Sequence, residues 1–276
     1  VLFTAATRNA QKLRAMTFTK ALGATCLGLA GLTACSGDPE TEPVTAPKTE
    51  IASAKIYDLP KIVAKPEPYD WFDFRPNIQK LILAGVPESR HIAILWYTVD
   101  DGGVALHYHA KTESVYVIDG AQTDGKGTYD TGTVYFNPPG SGHQVTDSGG
   151  FFLLAYAAPP DFTATDKIED YTPITIDTKD PDLTLSYDFA KQPSGAHVFE
   201  PALAADGGLS ASFFELSGTD SYGFVGNYLL VLDGSCDVEG VTLPKQQLVV
   251  ADGVDPLPYA VKASKGAKCL ALGVSF

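Results

Sequence analysis

The sequence predicts an all-β protein built from two tandem copies of one barrel or sandwich fold, and three observations lead there. From His91 to the C-terminus, short runs rich in Val, Ile, Leu, Phe and Tyr alternate with Gly, Pro, Asp and Asn turns, which is the spacing of many short strands. No long segment keeps the 3.6-residue apolar period of a helix. The halves also resemble each other. Val115-Tyr-Val-Ile-Asp-Gly120 aligns with Leu229-Leu-Val-Leu-Asp-Gly234, and each half closes on a Gly-initiated apolar run, GGFFLLAYA against GAKCLALGV. A repeated unit accounts for this; two unrelated β domains are the alternative.

Taken in chain order, the first element is an export signal. Arg8, Lys12, Arg14 and Lys20 precede the apolar stretch Ala21 to Ala34 with no acidic residue among them, and that stretch is too short to span a bilayer. It ends in Leu32-Thr33-Ala34-Cys35 followed by Ser36-Gly37-Asp38, which resembles the bacterial lipobox. That resemblance implies lipidation of Cys35 and a bacterial lipoprotein anchored in the cell envelope, facing the periplasm or exterior. A plain secretory cleavage site is the alternative. Met16 offers an internal start just ahead of Lys20. Residues 35–66, rich in Pro, Thr, Glu and Lys, read as a disordered tether.

Charge narrows the partners. With 33 acidic against 20 basic residues the net charge is -13, and removal of residues 1–34 takes four basic residues away, leaving -17. Such a surface repels polyanions, so nucleic acid is excluded as a partner. The 45% hydrophobic content excludes wholesale disorder. The remaining expectations are a small-molecule ligand and the membrane through the lipid anchor, with homo-oligomerisation left open. In an exported chain Cys236 and Cys269 are the only thiols left after lipidation; two unpaired buried cysteines are expected, with pairing as the alternative.

Expected strands of the first copy, residues 67–160, are HIAILWYTV from His91, VALHYH from Val104, SVYVID from Ser114, TVYF from Thr133 and FFLLAYA from Phe151. AAPPDF around Pro159 marks the junction. The second copy, residues 161–276, supplies LTLSYD from Leu183, ASFFEL from Ala211, YLLVLDG from Tyr228, QLVVADG from Gln247 and KCLALGV from Lys268.

Chemistry concentrates in the first copy. His107 and His109 lie two apart, so on a strand they project from one face, and Glu113 follows across a short bend. Downstream, Asn137-Pro-Pro-Gly140-Ser-Gly-His143 is a Gly/Pro turn that delivers a third imidazole. Three imidazoles and one carboxylate make a donor set for a first-row transition metal. These segments resemble the two cupin motifs, G-x5-H-x-H-x3,4-E-x6-G and G-x5-P-x-G-x2-H-x3-N, and on that basis the chain is similar to the cupin superfamily.

The resemblance implies two tandem cupin-type jelly-roll barrels, a bicupin, with His107, His109, Glu113 and His143 as ligands of one divalent metal: Zn, Fe, Mn, Cu or Ni. NPPGSGH is similar in particular to the cupin domain of ChrR-type anti-sigma regulators, whose zinc-binding helical domain has no counterpart here. The chain departs from the motifs at Asp101, where the opening Gly is displaced, and at Asp147, where the second motif ends in Asn and a closing contact changes.

Aligning Gly234 with Gly120 places Ser221, Gly223 and Asn227 where ligands would be, so the second barrel is degenerate and structural. His91 and His197 read as ordinary polar histidines, His91 solvated. If the strands are regular, Ala105, Val115, Val117 and Val145 face inward and Tyr108 outward, giving a mostly apolar pocket. Three function classes stay open: a non-catalytic binding or sensing module, an oxidoreductase of dioxygenase type on a small hydrophobic or aromatic substrate, and a metal-dependent isomerase or lyase.

Overall fold

A computed structural model describes residues 48–163 and 170–276. The expected signal, Cys35 and the first part of the tether lie outside the described residues. The chain opens with β1 (Ala54–Asp58) and α1 (Leu59–Ala64), then runs through β2 (Phe72–Arg75), β3 (Ile78–Gly85), β4 (His91–Tyr108), β5 (Glu113–Asp124), β6 (Thr128–Asp130), β7 (Thr133–Asn137), β8 (Gly142–Tyr156) and β9 (Ile174–Asp177). After α2 (Leu183–Ser186) come β10 (Ala190–Lys191), β11 (His197–Phe199), β12 (Ser210–Ser217), β13 (Ser221–Gly226), β14 (Tyr228–Val238), β15 (Val241–Pro244), β16 (Gln247–Ala251), β17 (Leu257–Ala263) and β18 (Lys268–Ser275). Among the described residues these strands form an eight-stranded and a ten-stranded sheet, antiparallel throughout the strand pairs. The described residues thus form two tandem β barrels, all β but for two short helices, as expected.

The near-continuous apolar runs follow from strands buried on both faces. On β5, Val115 and Val117 enter the interior of the first barrel, while Tyr116 and Ile118 enter a core shared by both halves. On β8, Phe152, Leu154 and Tyr156 face the first interior and Phe151, Leu153 and Ala155 the shared core. β14 repeats the division, with Leu229 and Val231 in the second interior and Tyr228, Leu230 and Leu232 in the shared core. One sheet of each barrel therefore joins the two halves through its outer face.

The internal repeat is visible in the backbone. Gly120 and Gly234 both take positive φ, 86° and 71°, and a β-bulge precedes each, at Val117/Asp119 and Val231/Asp233. A Cβ at either would overlap a carbonyl of the neighbouring strand, Gly149 or Lys268, so the Asp-Gly pair of the aligned hexapeptides marks one structural event in both copies.

Several expectations are corrected. The tether does not run to residue 66: β1 pairs with β16, from Ala54 opposite Ala251 to Asp58 opposite Gln247, and Leu59 and Ile62 of α1 are buried. The Asp58 carboxylate caps α1 by accepting the Lys61 N–H, and two core side chains outweigh the polar composition. Nor do the sheets divide at 160/161, since β9 returns to pair with β7 in the first sheet. LTLSYD is not a strand: Leu183–Ser186 is one helical turn in which only Leu183 is buried. Its pattern fits either element, and Ser186 Oγ donating to the Asp180 carboxylate closes the turn. Cys236 and Cys269 are paired in a disulfide linking β14 and β18, which are adjacent in the sheet; residues 33 apart in sequence meet only through that pairing.

Candidate metal centre

The centre assembles at one end of the first barrel, where β4, β5, β7 and β8 meet. His107 on β4 lies directly opposite His143 on β8. The loop carrying His143 is tied to the chain around His109: His109 N–H donates to the Ser141 carbonyl at 2.8 Å and Gly140 N–H to the His109 carbonyl at 2.9 Å. Gly140 has φ 87°, which is why the turn after two prolines needs glycine. Glu113 opens β5 between Asn137 on β7 and Tyr156 on β8.

The four expected residues are thus brought together, each no more than 5% exposed. The ligand nitrogens of His107, His109 and His143 lie within 4.8 Å of one another. His109 Nε2 is 3.2 Å from His143 Nε2 and 3.3 Å from Glu113 Oε2, and His143 Nε2 is 3.8 Å from the same oxygen.

Tautomers decide what this cluster presents. His107 Nδ1 faces the Ala105 carbonyl at 2.9 Å, an acceptor only, so Nδ1 carries the proton and Nε2 a lone pair. His143 Nδ1 faces Asp124 Oδ2 at 2.8 Å, with the same consequence. Burial, then the neighbouring rings of His109 and His143, push His107 down to about 3; burial and His143 hold His109 well below its ordinary value. Unprotonated nitrogens and a carboxylate oxygen converging in a buried place fit a divalent transition metal.

The sequence did not reveal the supporting residues. Asp124 ends β5, its carboxylate wholly buried, and it also accepts the amides of Lys126 and Gly127. Burial alone would raise its pKa, but the His143 and backbone hydrogen bonds bring it below the ordinary carboxylate value. In the sequence it stood in an Asp-Gly turn pattern with nothing to link it to His143. Asn137, fully buried, donates to Glu113 Oε2 at 2.8 Å; its place inside NPPGSGH was the available signal. Asp147, expected to alter the closing contact, is exposed and opposite Thr123, and it is Asn137 and Asp124 that hydrogen-bond to Glu113 and His143. Asp124→Asn keeps the shape but loses the carboxylate that orients His143, and metal affinity is expected to fall by about 10- to 100-fold, read by competition with a chelator.

A cavity of about 20 Å³ opens beside the cluster, room for about one water. Its lining includes Tyr97, Tyr135, Tyr156, Gln122, Val145 and Phe162, more polar than the expected apolar pocket. Val104, not Ala105, faces inward, because irregular β4–β8 pairing between Val104 and His107 shifts the parity. Val115 and Val117 lie in the interior as expected, and Tyr108 is half-buried, bridged to Asp161. Phe162 stacks on His107 with ring centroids 5.1 Å apart, and the Arg75 guanidinium sits 4.2 Å over its outer ring face.

His91 is not solvated but fully buried. Its Nδ1 faces the Ser89 carbonyl at 2.8 Å, and its Nε2 faces Lys80 Nζ at 3.3 Å. Burial above all lowers Lys80 to about 8 and His91 to about 4. A folded pKa below the unfolded one means that the unfolded chain takes up the proton first as pH falls. Metal-free protein should therefore lose stability between about pH 6.5 and pH 4, with a urea midpoint lower at pH 5 than at pH 7, and His91→Gln should flatten part of that slope.

The second barrel has no such centre among the described residues. Asn227 is buried but occupied, donating to the Val254 carbonyl and accepting the Phe276 N–H. Phe224 fills the interior, its ring against Gly226 and Gly273.

Residues 60–158 match the family model of the ChrR cupin-like domain. Among solved structures, a candidate dioxygenase from Nostoc punctiforme is 13% identical, with 81% of this chain and 82% of that chain covered and a TM-score of 0.55. Salicylate 1,2-dioxygenase from Pseudoaminobacter salicylatoxidans, solved as a single-residue mutant in complex with gentisate, is 12% identical over 84% of each chain with a TM-score of 0.52. At these identities the likeness is one of fold. No curated protein sequence matches the chain. Residues 60–158 are thus similar to the ChrR cupin-like domain, and the chain shares with these dioxygenase structures a fold of two tandem β barrels.

Proposed function

We propose that this protein is an exported, lipid-anchored metal-binding cupin that holds one divalent transition metal on His107, His109, Glu113 and His143 and binds a small molecule there. The observation that carries the reading is the convergence of lone-pair nitrogens: the His107 and His143 rings are committed to Nδ1–H, the ligand nitrogens of all three histidines lie within 4.8 Å of one another, and Glu113 Oε2 is 3.3 Å from His109 Nε2 and 3.8 Å from His143 Nε2. A metal bound there would supply a Lewis acid, or a redox centre if it is Fe, Mn or Cu. The chain's own residues hold the donors in place, and Phe162 covers His107. The small cavity, lined by Tyr97, Tyr135 and Tyr156, favours a ligand of few atoms.

A second reading, metal-dependent oxidation, draws support from what the cavity lining lacks. Beyond His107, Glu113 and His143 its polar groups are Gln122 and the phenols. Burial, then Glu113, holds Tyr135 and Tyr156 well above the ordinary phenol value, so they make poor proton shuttles. The fold shared with dioxygenases leans the same way.

Elemental analysis of the purified chain should find about one metal per chain; none after loading with each candidate ion would end the proposal. O₂ uptake with small enols or phenols, after anaerobic loading with Fe(II), Mn(II) or Cu(II), selects oxidation. Tightly held Zn without turnover selects binding or sensing. Export is tested separately: Cys35→Ala should move the protein from the membrane to the soluble or unprocessed fraction, because a diacylated thiol anchors stably. A wild type wholly soluble after export would replace lipidation by secretion.

A further inference from the structure

We infer that the second barrel is a working part of the first barrel's metal centre, its loop 204–208 fixing the bend 110–112 that sets His109 against Glu113. This rests on the metal reading above and adds a role for the barrel without ligands.

The bend leaves the strand ladder, so its backbone groups need partners elsewhere. His109 finds them in Gly140 and Ser141. Thr112, 1% exposed and directly before Glu113, finds its partner in the other half of the molecule: its N–H donates to the Gly207 carbonyl at 3.0 Å. Its own carbonyl accepts from Ala157 N–H at 3.3 Å. Next to it, Lys111 Nζ donates to the Asp206 carbonyl at 2.6 Å. Two successive residues of the ligand bend are thus tied to two successive residues of the second half.

The contact is also sterically tight. A Cβ on Gly207 would overlap Thr112 Oγ1 and come within 2.9 Å of the Ala204 carbonyl. The Thr112 hydroxyl is itself enclosed and makes no hydrogen bond, so a displaced Thr112 must carry backbone with it, and Glu113 is the next residue. With Glu113 Oε2 only 3.3 Å from His109 Nε2, a shift of about half an ångström is enough to loosen a metal site.

The test uses the full mature chain and Co(II), read by absorption and by competition with a chelator, beside thermal melting without metal. Gly207→Ala should weaken Co(II) binding by about ten-fold or more and alter the Co(II) spectrum, the scale seen when a ligand's support is removed. Thr112→Ala, which removes the overlapped hydroxyl, should restore most of that affinity in the double variant. Gly223→Ala lies in the same barrel in open space and should bind like wild type. Wild-type affinity in folded Gly207→Ala, or a loss that Thr112→Ala does not recover, overturns the inference. Should Gly207→Ala fail to fold, Lys111→Met decides, since it cuts one tie without overlap: weaker binding supports the inference and unchanged binding overturns it. A wild type that binds no Co(II) or other divalent ion refutes the metal reading instead.

Discussion

A chain in which His109 and His143 are both replaced by alanine should retain no stoichiometric metal. Losing one supporting residue costs about 10- to 100-fold in affinity, and here two donors go at once, leaving His107 and Glu113. Two donors cannot hold an ion against water and competing chelators as four do, because each ligand also fixes the position of the others. The change has a structural side as well. Removal of His143 strips the buried Asp124 of its ring partner, although the amides of Lys126 and Gly127 still bind its other oxygen. An unpartnered buried acceptor costs about 1–3 kcal/mol, so the variant should melt lower than wild type even without metal. Elemental analysis after gel filtration checks the first effect and urea unfolding the second. Occupancy unchanged in a folded double variant would show that the ion sits elsewhere.

Removal of the disulfide should have the largest effect on stability. Cys236 and Cys269 are fully buried, joining β14 to β18 at a Cα separation of 5.0 Å and closing a loop across 33 residues. Releasing a loop of that length into the unfolded ensemble costs about 3–4 kcal/mol in the chain-entropy account. Cys236→Ala with Cys269→Ala should lower the urea midpoint accordingly, and reduction of wild type should approach the same value. The folded variant should still bind metal, because no ligand lies in that interior. An identical midpoint with and without reductant would mean that the thiols are not joined in the protein as made.

The strands and the four clustered side chains were legible for one reason: both are local patterns. A run such as FFLLAYA, short, aromatic and bounded by glycine and proline, reads as a strand buried on both faces, and the division of Phe152 and Leu154 from Phe151 and Leu153 between two cores is that alternation made physical. The H-x-H spacing places two rings on one face, and the Pro-Pro-Gly turn brings the third, so spacing already implied the convergence. The repeat marked by Gly120 and Gly234 was also readable, since each glycine answers a local steric demand.

What the residues around the cluster do was not local. Asp124 meets His143 because β5 and β8 pair with Asp124 opposite Val145, and no spacing rule encodes that register. Val104 displaces Ala105 through a bulge, and His91 turns inward because Lys80 comes alongside from β3. The tether ends early because β16, far along the chain, offers β1 an edge.

By itself, then, the sequence determined the fold class, the repeat and the clustering of His107, His109, Glu113 and His143, because side-chain parity and turn chemistry act over a few residues. Only the tertiary structure decided the disulfide, the partners of the clustered side chains and the hydrogen bond of Gly207 with Thr112. Those depend on which distant strands share a ladder and on where a bulge resets the register, and these are settled by the burial and hydrogen bonding of the whole molecule at once.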